Sequence, residues 1–243
     1  MTGLLVSVRS AEEARLAIDA GVDVLDVKEP ARGSLGTADR TTIAEIAALA
    51  ADRVPLSVAL GELVALADEP DRADLPPGVR YAKLGLSQCA GRSDWTQRWA
   101  AWAAALPAGV LPVAVAYADD HLAASPPETE FLAMAARYGA AAMLIDTFDK
   151  QAGNLLTHWN ATRLERFLAA ARQVHMPVVL AGSLTLPQIE RLLPLKPWLV
   201  AVRGAACQAG RESPLDPARL RQLVQAVHQH GIASEPATTA RHQ

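Results

Sequence analysis

The stretch VDVLDVKEPARGSLG, Val22–Gly36, decides how the rest of the chain is read. Its first half alternates β-branched and aliphatic residues with acids, the pattern of a short strand. Its second half is a Gly- and Ser-bearing loop. Asp26 and Lys28 stand two residues apart, so on a strand they share one face. If Leu25 and Val27 face a layer of helices, Asp26 and Lys28 face the other way, into the sheet's interior. A charged pair closing an apolar strand is either structural or the start of a site at the strand end.

Working outward, the same unit recurs. Upstream, LLVSV (Leu4–Val8) is a strand, Ser10 and Glu13 form a capping box, and the helix AEEARLAIDA ends at Gly21, a C-cap glycine. Downstream, a helix over 37–52 leads to the strand PLSVALGE (55–62), and YAKLGLS (81–87) is the fourth strand. The helix DWTQRWAAWAAAL (94–106) precedes LPVAVAYAD (111–119). PETEFLAMAARYG (127–139) precedes AAMLIDTF (141–148). NATRLERFLAAARQ (160–173) precedes PVVLAGSL (177–184). A short helix, Leu186–Leu193, precedes WLVAVRGAAC (198–207), and a last helix covers Asp216–His230.

Eight strands, nearly continuous in apolar residues and separated by amphipathic helices, predict a parallel sheet covered by helices. At this length that is an α/β fold, a single (β/α)8 TIM barrel over residues 1–232, with a frayed tail over 233–243. A doubly wound open sheet is the alternative. It calls for a glycine fingerprint after the first strand, and SVRSAEE does not supply one.

The 243 residues are 51% hydrophobic and 20% charged, with a net charge of −3. That argues against a general affinity for nucleic acid or for anionic membrane. No apolar run is long enough to span a bilayer, and the N-terminus has no signal-peptide pattern. The two cysteines, Cys89 and Cys207, form neither a disulfide framework nor a metal motif, which points to a reducing cytoplasm. No His, Asp and Glu set is spaced as a metal site, and no cofactor is expected. Trp95, Trp99 and Trp102 recur at helical spacing, which assigns them to the core or to a subunit contact. A homo-oligomer is left open.

In a (β/α)8 barrel the active site lies at the C-terminal ends of the strands. Only four of the 23 basic residues are lysines: Lys28, Lys83, Lys150 and Lys196. Lys28, Lys83 and Lys150 fall at or just past strand ends, and only Lys196 lies in a remote loop. Asp26 and Asp146 end strands two and six. Lysines crowded on one rim disfavour one another's charge, desolvation adds to this, and a neutral amine can attack a carbonyl to form a Schiff base. Carboxylates beside them can orient amines and move protons. The plainer reading is a set of buried ion pairs that tie the barrel together.

AGSL and VRGAA, at strands seven and eight, place Gly182, Ser183, Gly204 and Ala205 where many barrels hold phosphate. Glycine lets backbone N–H groups approach an anion, although glycine after a strand is also ordinary turn chemistry. Arg203 either adds a charged contact to that anion or pairs with a carboxylate. The loop PARGSLG is either a lid or a plain connection.

At these residues the chain resembles the (5-formylfuran-3-yl)methyl phosphate synthase family. The segments DVKEPARGSLG (26–36), YAKLGLS (81–87), MLIDTFDK (143–150), LAGSL (180–184) and AVRGAAC (201–207) stand in the family's order across nearly the whole chain. YAKLGL has Ala and Leu where the family often has Ile and Val. DKQAGN replaces a common KDGK, with Lys150 still four residues after Asp146. Val64–Val79 is rich in Pro and Asp and departs from the pattern.

The resemblance implies a cytoplasmic barrel enzyme that condenses two molecules of a triose phosphate, glyceraldehyde 3-phosphate. The product is a furan aldehyde phosphate for methanofuran-type one-carbon cofactor synthesis, formed with loss of phosphate and water. It implies Lys28 as the Schiff-base lysine, Lys83 as the proton-transferring lysine, and Asp26, Asp146 and Lys150 as their polar support. Another Schiff-base aldolase or isomerase of sugar phosphates, or a non-catalytic barrel that binds a phosphometabolite, are the competing readings.

Overall fold

Eight parallel strands close on themselves in sequence order in the computed structural model, which describes residues 1–66 and 74–233. They are β1 (Gly3–Val8), β2 (Val24–Val27), β3 (Leu56–Glu62), β4 (Val79–Gly85), β5 (Leu111–Tyr117), β6 (Ala142–Asp146), β7 (Val178–Leu180) and β8 (Leu199–Val202). The ring is sealed where β1 pairs with β8, Gly3 opposite Leu199 and Val6 opposite Val202. This is the (β/α)8 barrel expected. The tail expected over 233–243 lies, after residue 233, outside the described residues, as does part of the Val64–Val79 segment.

The helices are α1 (Ala11–Ala20), α2 (Arg40–Ala50), α3 (Trp95–Ala105), α4 (Asp120–Ala123), α5 (Glu128–Arg137), α6 (Leu155–His158), α7 (Ala161–Gln173), α8 (Leu186–Leu192) and α9 (Pro217–Ala233). The one-turn helices α4 and α6 sit where loops were expected. Ser10 caps α1 by accepting from the N–H of Glu13, and Gly21 ends it in the left-handed conformation at φ 85°. Asp216 caps α9, accepting from the N–H groups of Ala218 and Arg219. Among the described residues no helix is long and apolar enough to cross a membrane.

Period-two alternation divides the core in two. Leu4, Val6, Leu25, Val27, Ala82, Leu84, Ala114 and Met143 point outward and are buried under the helices. Leu5, Val24, Val113, Val115, Leu144, Val179 and Leu199 point inward and fill the barrel. Trp95, Trp99 and Trp102 belong to the outer layer, at most 7% exposed. Of the two roles open to them, core is the one observed. Burying three indoles contributes on the order of several kcal/mol each before entropy is counted. Cys89 and Cys207 are both buried and free.

The inward face changes character towards the C-terminal rim. On β2, Val24 is followed inward by Asp26, and Lys28 stands one residue past the strand. On β4, Tyr81 is followed by Lys83 and Gly85, and on β6 Leu144 is followed by Asp146. Apolar layers therefore plug the bottom and middle of the barrel, while titratable groups line its mouth.

Candidate active site

The lower tier of the mouth is an ion pair. Lys83 Nζ lies 2.5 Å from Asp26 Oδ1, with side chains 3% and 0% exposed. The other carboxylate oxygen of Asp26 accepts from the hydroxyl of Ser7, at 2.9 Å. Ser7 is opposite Asp26 in the β1–β2 register, so adjacent strands deliver both groups to one face. Buried charges persist only when paired and hydrogen-bonded. Lys83 supplies the counter-charge at Oδ1, which has no hydrogen-bond partner, and Ser7 supplies the hydrogen bond at Oδ2.

The upper tier is built around Asp146 at the end of β6. Lys150 Nζ donates to its Oδ1 at 2.6 Å, and the Thr147 N–H donates to the same oxygen at 2.8 Å. Burial alone would raise the Asp146 pKa, but Lys150 and Lys28 hold the carboxyl well below the usual carboxylate range.

Lys28 differs from the other two rim lysines. Its contact is with the Ser34 carbonyl at 3.5 Å, and among the described residues it has no carboxylate within 4 Å. Burial pushes its pKa down to about 8; Asp146 opposes this, and the charges of Lys150 and Lys83 add to it. The mouth thus holds two lysines paired with carboxylates and one, of lowered pKa, without such a partner.

The loop after Lys28 crosses the mouth. The Ser34 hydroxyl, 3.1 Å from Asp146 Oδ2 and 3.0 Å from the Thr147 carbonyl oxygen, reaches the opposite wall of the barrel. Leu35 is buried in the inner layer, and its carbonyl accepts from the Gly61 N–H on β3. The Glu29 N–H donates to the Gly36 carbonyl at 2.8 Å, which closes the loop at its base. A Cβ on Gly36 would stand 2.2 Å from the Glu29 carbonyl oxygen, so glycine is required there. As found, residues 30–36 are a strap bonded on both sides.

On one side of the strap is a cavity of about 240 Å³. Ser7, Asp26, Lys28, Lys83, Asp146 and Lys150 form one wall. Gly182, Ser183, Gly204, Arg203 and Arg211 form the other. Gly182 and Ser183 both have left-handed backbones, φ 99° and 52°. Ala205, expected on this wall, is not on it.

Arg203 takes the second of the two roles open to it. Its guanidinium bonds both carboxylate oxygens of Glu13 and the carbonyls of Ser7, Ser213 and Arg211. An arginine has five N–H donors, and all five are used. Arg203 therefore pairs with a carboxylate, one carried by α1, and has no donor left for an anion. Arg211, half-buried on the same wall, was not singled out by sequence. QAGRES has no periodicity, and only its place shortly after strand eight could have drawn notice.

On the other side of the strap, the Tyr117 hydroxyl donates to Glu62 Oε1, and the Ser87 N–H donates to Glu62 Oε2 at 2.9 Å. Burial raises the pKa of Glu62, and these hydrogen bonds oppose the rise. Asp119 accepts the N–H groups of Phe148 and Asp149 and ties β5 to the loop after β6.

A closed (β/α)8 barrel whose C-terminal mouth gathers lysines, carboxylates and glycine turns around one cavity is the framework of a barrel enzyme. A sequence model of the family described as 4-HFC-P synthase matches residues 4–224. The chain is 30% identical over 235 residues to (5-formylfuran-3-yl)methyl phosphate synthase of Archaeoglobus fulgidus, covering 93% of this chain and 99% of that one. It is 31% identical over 215 residues to the synthase of the same name from Methanothermobacter thermautotrophicus, covering 85% and 90%. The chain belongs to the 4-HFC-P synthase family.

Solved structures of similar shape include phosphoribosyl anthranilate isomerase from Thermotoga maritima, with a TM-score of 0.64, 13% identity, and coverage of 94% and 100%. Another is 3-hexulose-6-phosphate synthase from Salmonella typhimurium, with a TM-score of 0.57, 15% identity, and the same coverage. At these identities the likeness is one of fold.

Proposed function

We propose that the protein joins two molecules of glyceraldehyde 3-phosphate into (5-formylfuran-3-yl)methyl phosphate through a Schiff base on Lys28. The atoms balance when one phosphate and two water molecules leave. Membership of the family supports the product. The observation that carries the mechanism is the contrast among the lysines: Lys83 and Lys150 sit on carboxylates, and Lys28 does not.

With a pKa of about 8, roughly a tenth of the Lys28 amine is neutral at pH 7, against about three parts in ten thousand for an ordinary lysine. The neutral amine attacks the aldehyde carbon of one triose phosphate, and water leaves as the imine forms. The protonated imine draws electrons from the neighbouring carbon, so its C–H proton becomes acidic. Loss of that proton gives an enamine. The enamine electron pair expels the phosphate one carbon further on, and the unsaturated iminium left behind accepts at its terminal carbon the enediol carbon of the second triose phosphate. Closure of the enol oxygen onto the remaining aldehyde, loss of two waters and hydrolysis of the imine give the furan aldehyde.

Lys83, with Asp26 beside it, moves protons at these carbons. Asp146 and Lys150 place a fixed negative and a fixed positive charge at the upper edge of the site, where the imine and the hydroxyl groups of the substrate are oriented. The backbone N–H groups about Gly182, Ser183 and Gly204 receive phosphate oxygens.

The product chromophore gives the test. A furan aldehyde absorbs in the near ultraviolet, whereas an ordinary aldol or an isomerised sugar phosphate does not. Purified protein incubated with glyceraldehyde 3-phosphate should develop that absorbance with release of one inorganic phosphate per product. A barrel that only binds phosphometabolites develops neither, and an aldolase of another kind consumes substrate without the chromophore.

A further inference from the structure

An anion entering the far end of the cavity needs a positive charge that is not already neutralised. Arg203 is matched by Glu13 and has no donor to spare, and Lys150 is held by Asp146. Arg211, in the loop between β8 and α9, is different. It lines the cavity with Gly182, Ser183 and Gly204, and its backbone nitrogen is 3.9 Å from where a Cβ on Gly204 would stand. Its Nη2 donates to the carbonyls of Pro30, at 2.9 Å, and Gly33, at 2.7 Å. Among the described residues its Nε and Nη1 have no hydrogen-bond partner, and no carboxylate lies within 4 Å of it.

The position of Arg211 is itself built. Arg203 Nε donates to the Arg211 carbonyl, and Glu13 fixes Arg203 from below. A buried, fully bonded arginine thus holds in place the backbone of a second one whose side chain is unmatched. The second guanidinium has both Nη2 donors on the strap over Lys28, and its Nε and Nη1 donors unused, in the wall of the cavity. Each of those can give a single charge-assisted hydrogen bond to a phosphate oxygen.

We propose that Arg211 is the residue that recognises the phosphate of the substrate, and that through Pro30 and Gly33 it latches the 30–36 strap, so that filling the anion position and fixing the loop over Lys28 are one event. Identifying the anion as a triose phosphate rests on the function proposed above; the anion site and the latch do not.

The test uses the intact protein, inorganic phosphate as the probe, and the variants Arg211→Gln and Arg211→Lys. Two readouts are followed: the Tm, and the rate at which trypsin cuts after the exposed Arg32, scored by fragment mass. Phosphate should raise the wild-type Tm and slow the cut. Arg211→Gln should cut faster without phosphate and should need roughly 10- to 100-fold more phosphate for the same response. Arg211→Lys, which keeps the charge and loses the separate donors to strap and anion, should fall between, and it decides the matter should Arg211→Gln not fold. An equal phosphate response in wild type and variants, or none in wild type, overturns the anion site. A phosphate-induced Tm rise with no change in cutting overturns the latch.

Turnover separates this inference from the reading it builds on. With glyceraldehyde 3-phosphate, the KM of Arg211→Gln should rise by the same factor. Wild-type protein that makes no furan aldehyde, yet responds to phosphate through Arg211, removes the proposed reaction and leaves the anion site standing. A furan-forming enzyme whose variants keep the wild-type KM and phosphate response does the reverse.

Discussion

Lys83 Nζ and Asp26 Oδ1 stand 2.5 Å apart in the lower tier of the barrel mouth, both side chains almost wholly buried. Removing one partner leaves the other as an uncompensated buried charge. Asp26→Asn should therefore cost about 3–5 kcal/mol of unfolding free energy. The double variant Asp26→Leu with Lys83→Met removes both charges and should recover most of that loss while remaining inactive. Denaturant titration with a fixed m-value checks both. A single variant within 1 kcal/mol of wild type, by the same measurement, would mean that the pair is not tightly coupled.

The second prediction concerns pH. Lys28 has its pKa pushed down to about 8, so the rate with glyceraldehyde 3-phosphate should climb as pH rises through that value. The charge of Lys150 helps lower it and that of Asp146 opposes the lowering. Lys150→Met should move the climb to higher pH, and Asp146→Asn should move it to lower pH. Stability follows the same sign: the folded value lies below the unfolded one, so the native state binds fewer protons and becomes more stable as pH rises from about 8 to the ordinary lysine value of 10.5. Lys28→Met should flatten that part of the stability curve.

Gly85 yields a third prediction. A Cβ there would stand 2.3 Å from Glu62 Oε2 and 2.6 Å from the Tyr117 hydroxyl oxygen. Gly85→Ala must displace the Glu62–Tyr117 pair, and overpacking of this kind costs about 1–3 kcal/mol. Thermal unfolding should show a lowered Tm, and Gly85→Ala combined with Glu62→Ala should recover part of the loss.

Glu13 bears on the site from α1. Glu13→Gln leaves Arg203 buried without its counter-charge and should destabilise the fold by about 3–5 kcal/mol. Because Arg203 also holds the Arg211 carbonyl, the KM for triose phosphate should rise more than kcat falls. A stability loss with unchanged KM would make the Glu13–Arg203 pair a support of the barrel alone.

The barrel was legible because eight short strands, nearly continuous in apolar residues, are separated by amphipathic helices, with Gly21 and the Ser10 cap marking boundaries. Period two placed Asp26 and Lys28 on a shared face, and strand-end position brought Lys83 and Asp146 to the same rim. Period two, however, says which face a side chain takes and nothing about its partner across the barrel. The pairing of Asp26 with Lys83, which joins β2 to β4, appears only once the ring closes. Ser34 was visible in GSLG as turn chemistry, but its reach to Asp146 depends on a loop path that periodicity does not encode. Arg203 shows the limit most clearly. Its position left an anion and a carboxylate open as partners, and it is a glutamate 190 residues away that takes the charge.

The central claim is that Lys28 alone forms the covalent bond to substrate. Borohydride added to the protein during incubation with glyceraldehyde 3-phosphate, followed by peptide mass mapping, tests it directly. The account predicts a reduced adduct on the peptide carrying Lys28, with Lys83 and Lys150 unmodified and activity lost in Lys28→Ala. An adduct on Lys83 or Lys150, or furan formation that survives Lys28→Ala, would contradict it.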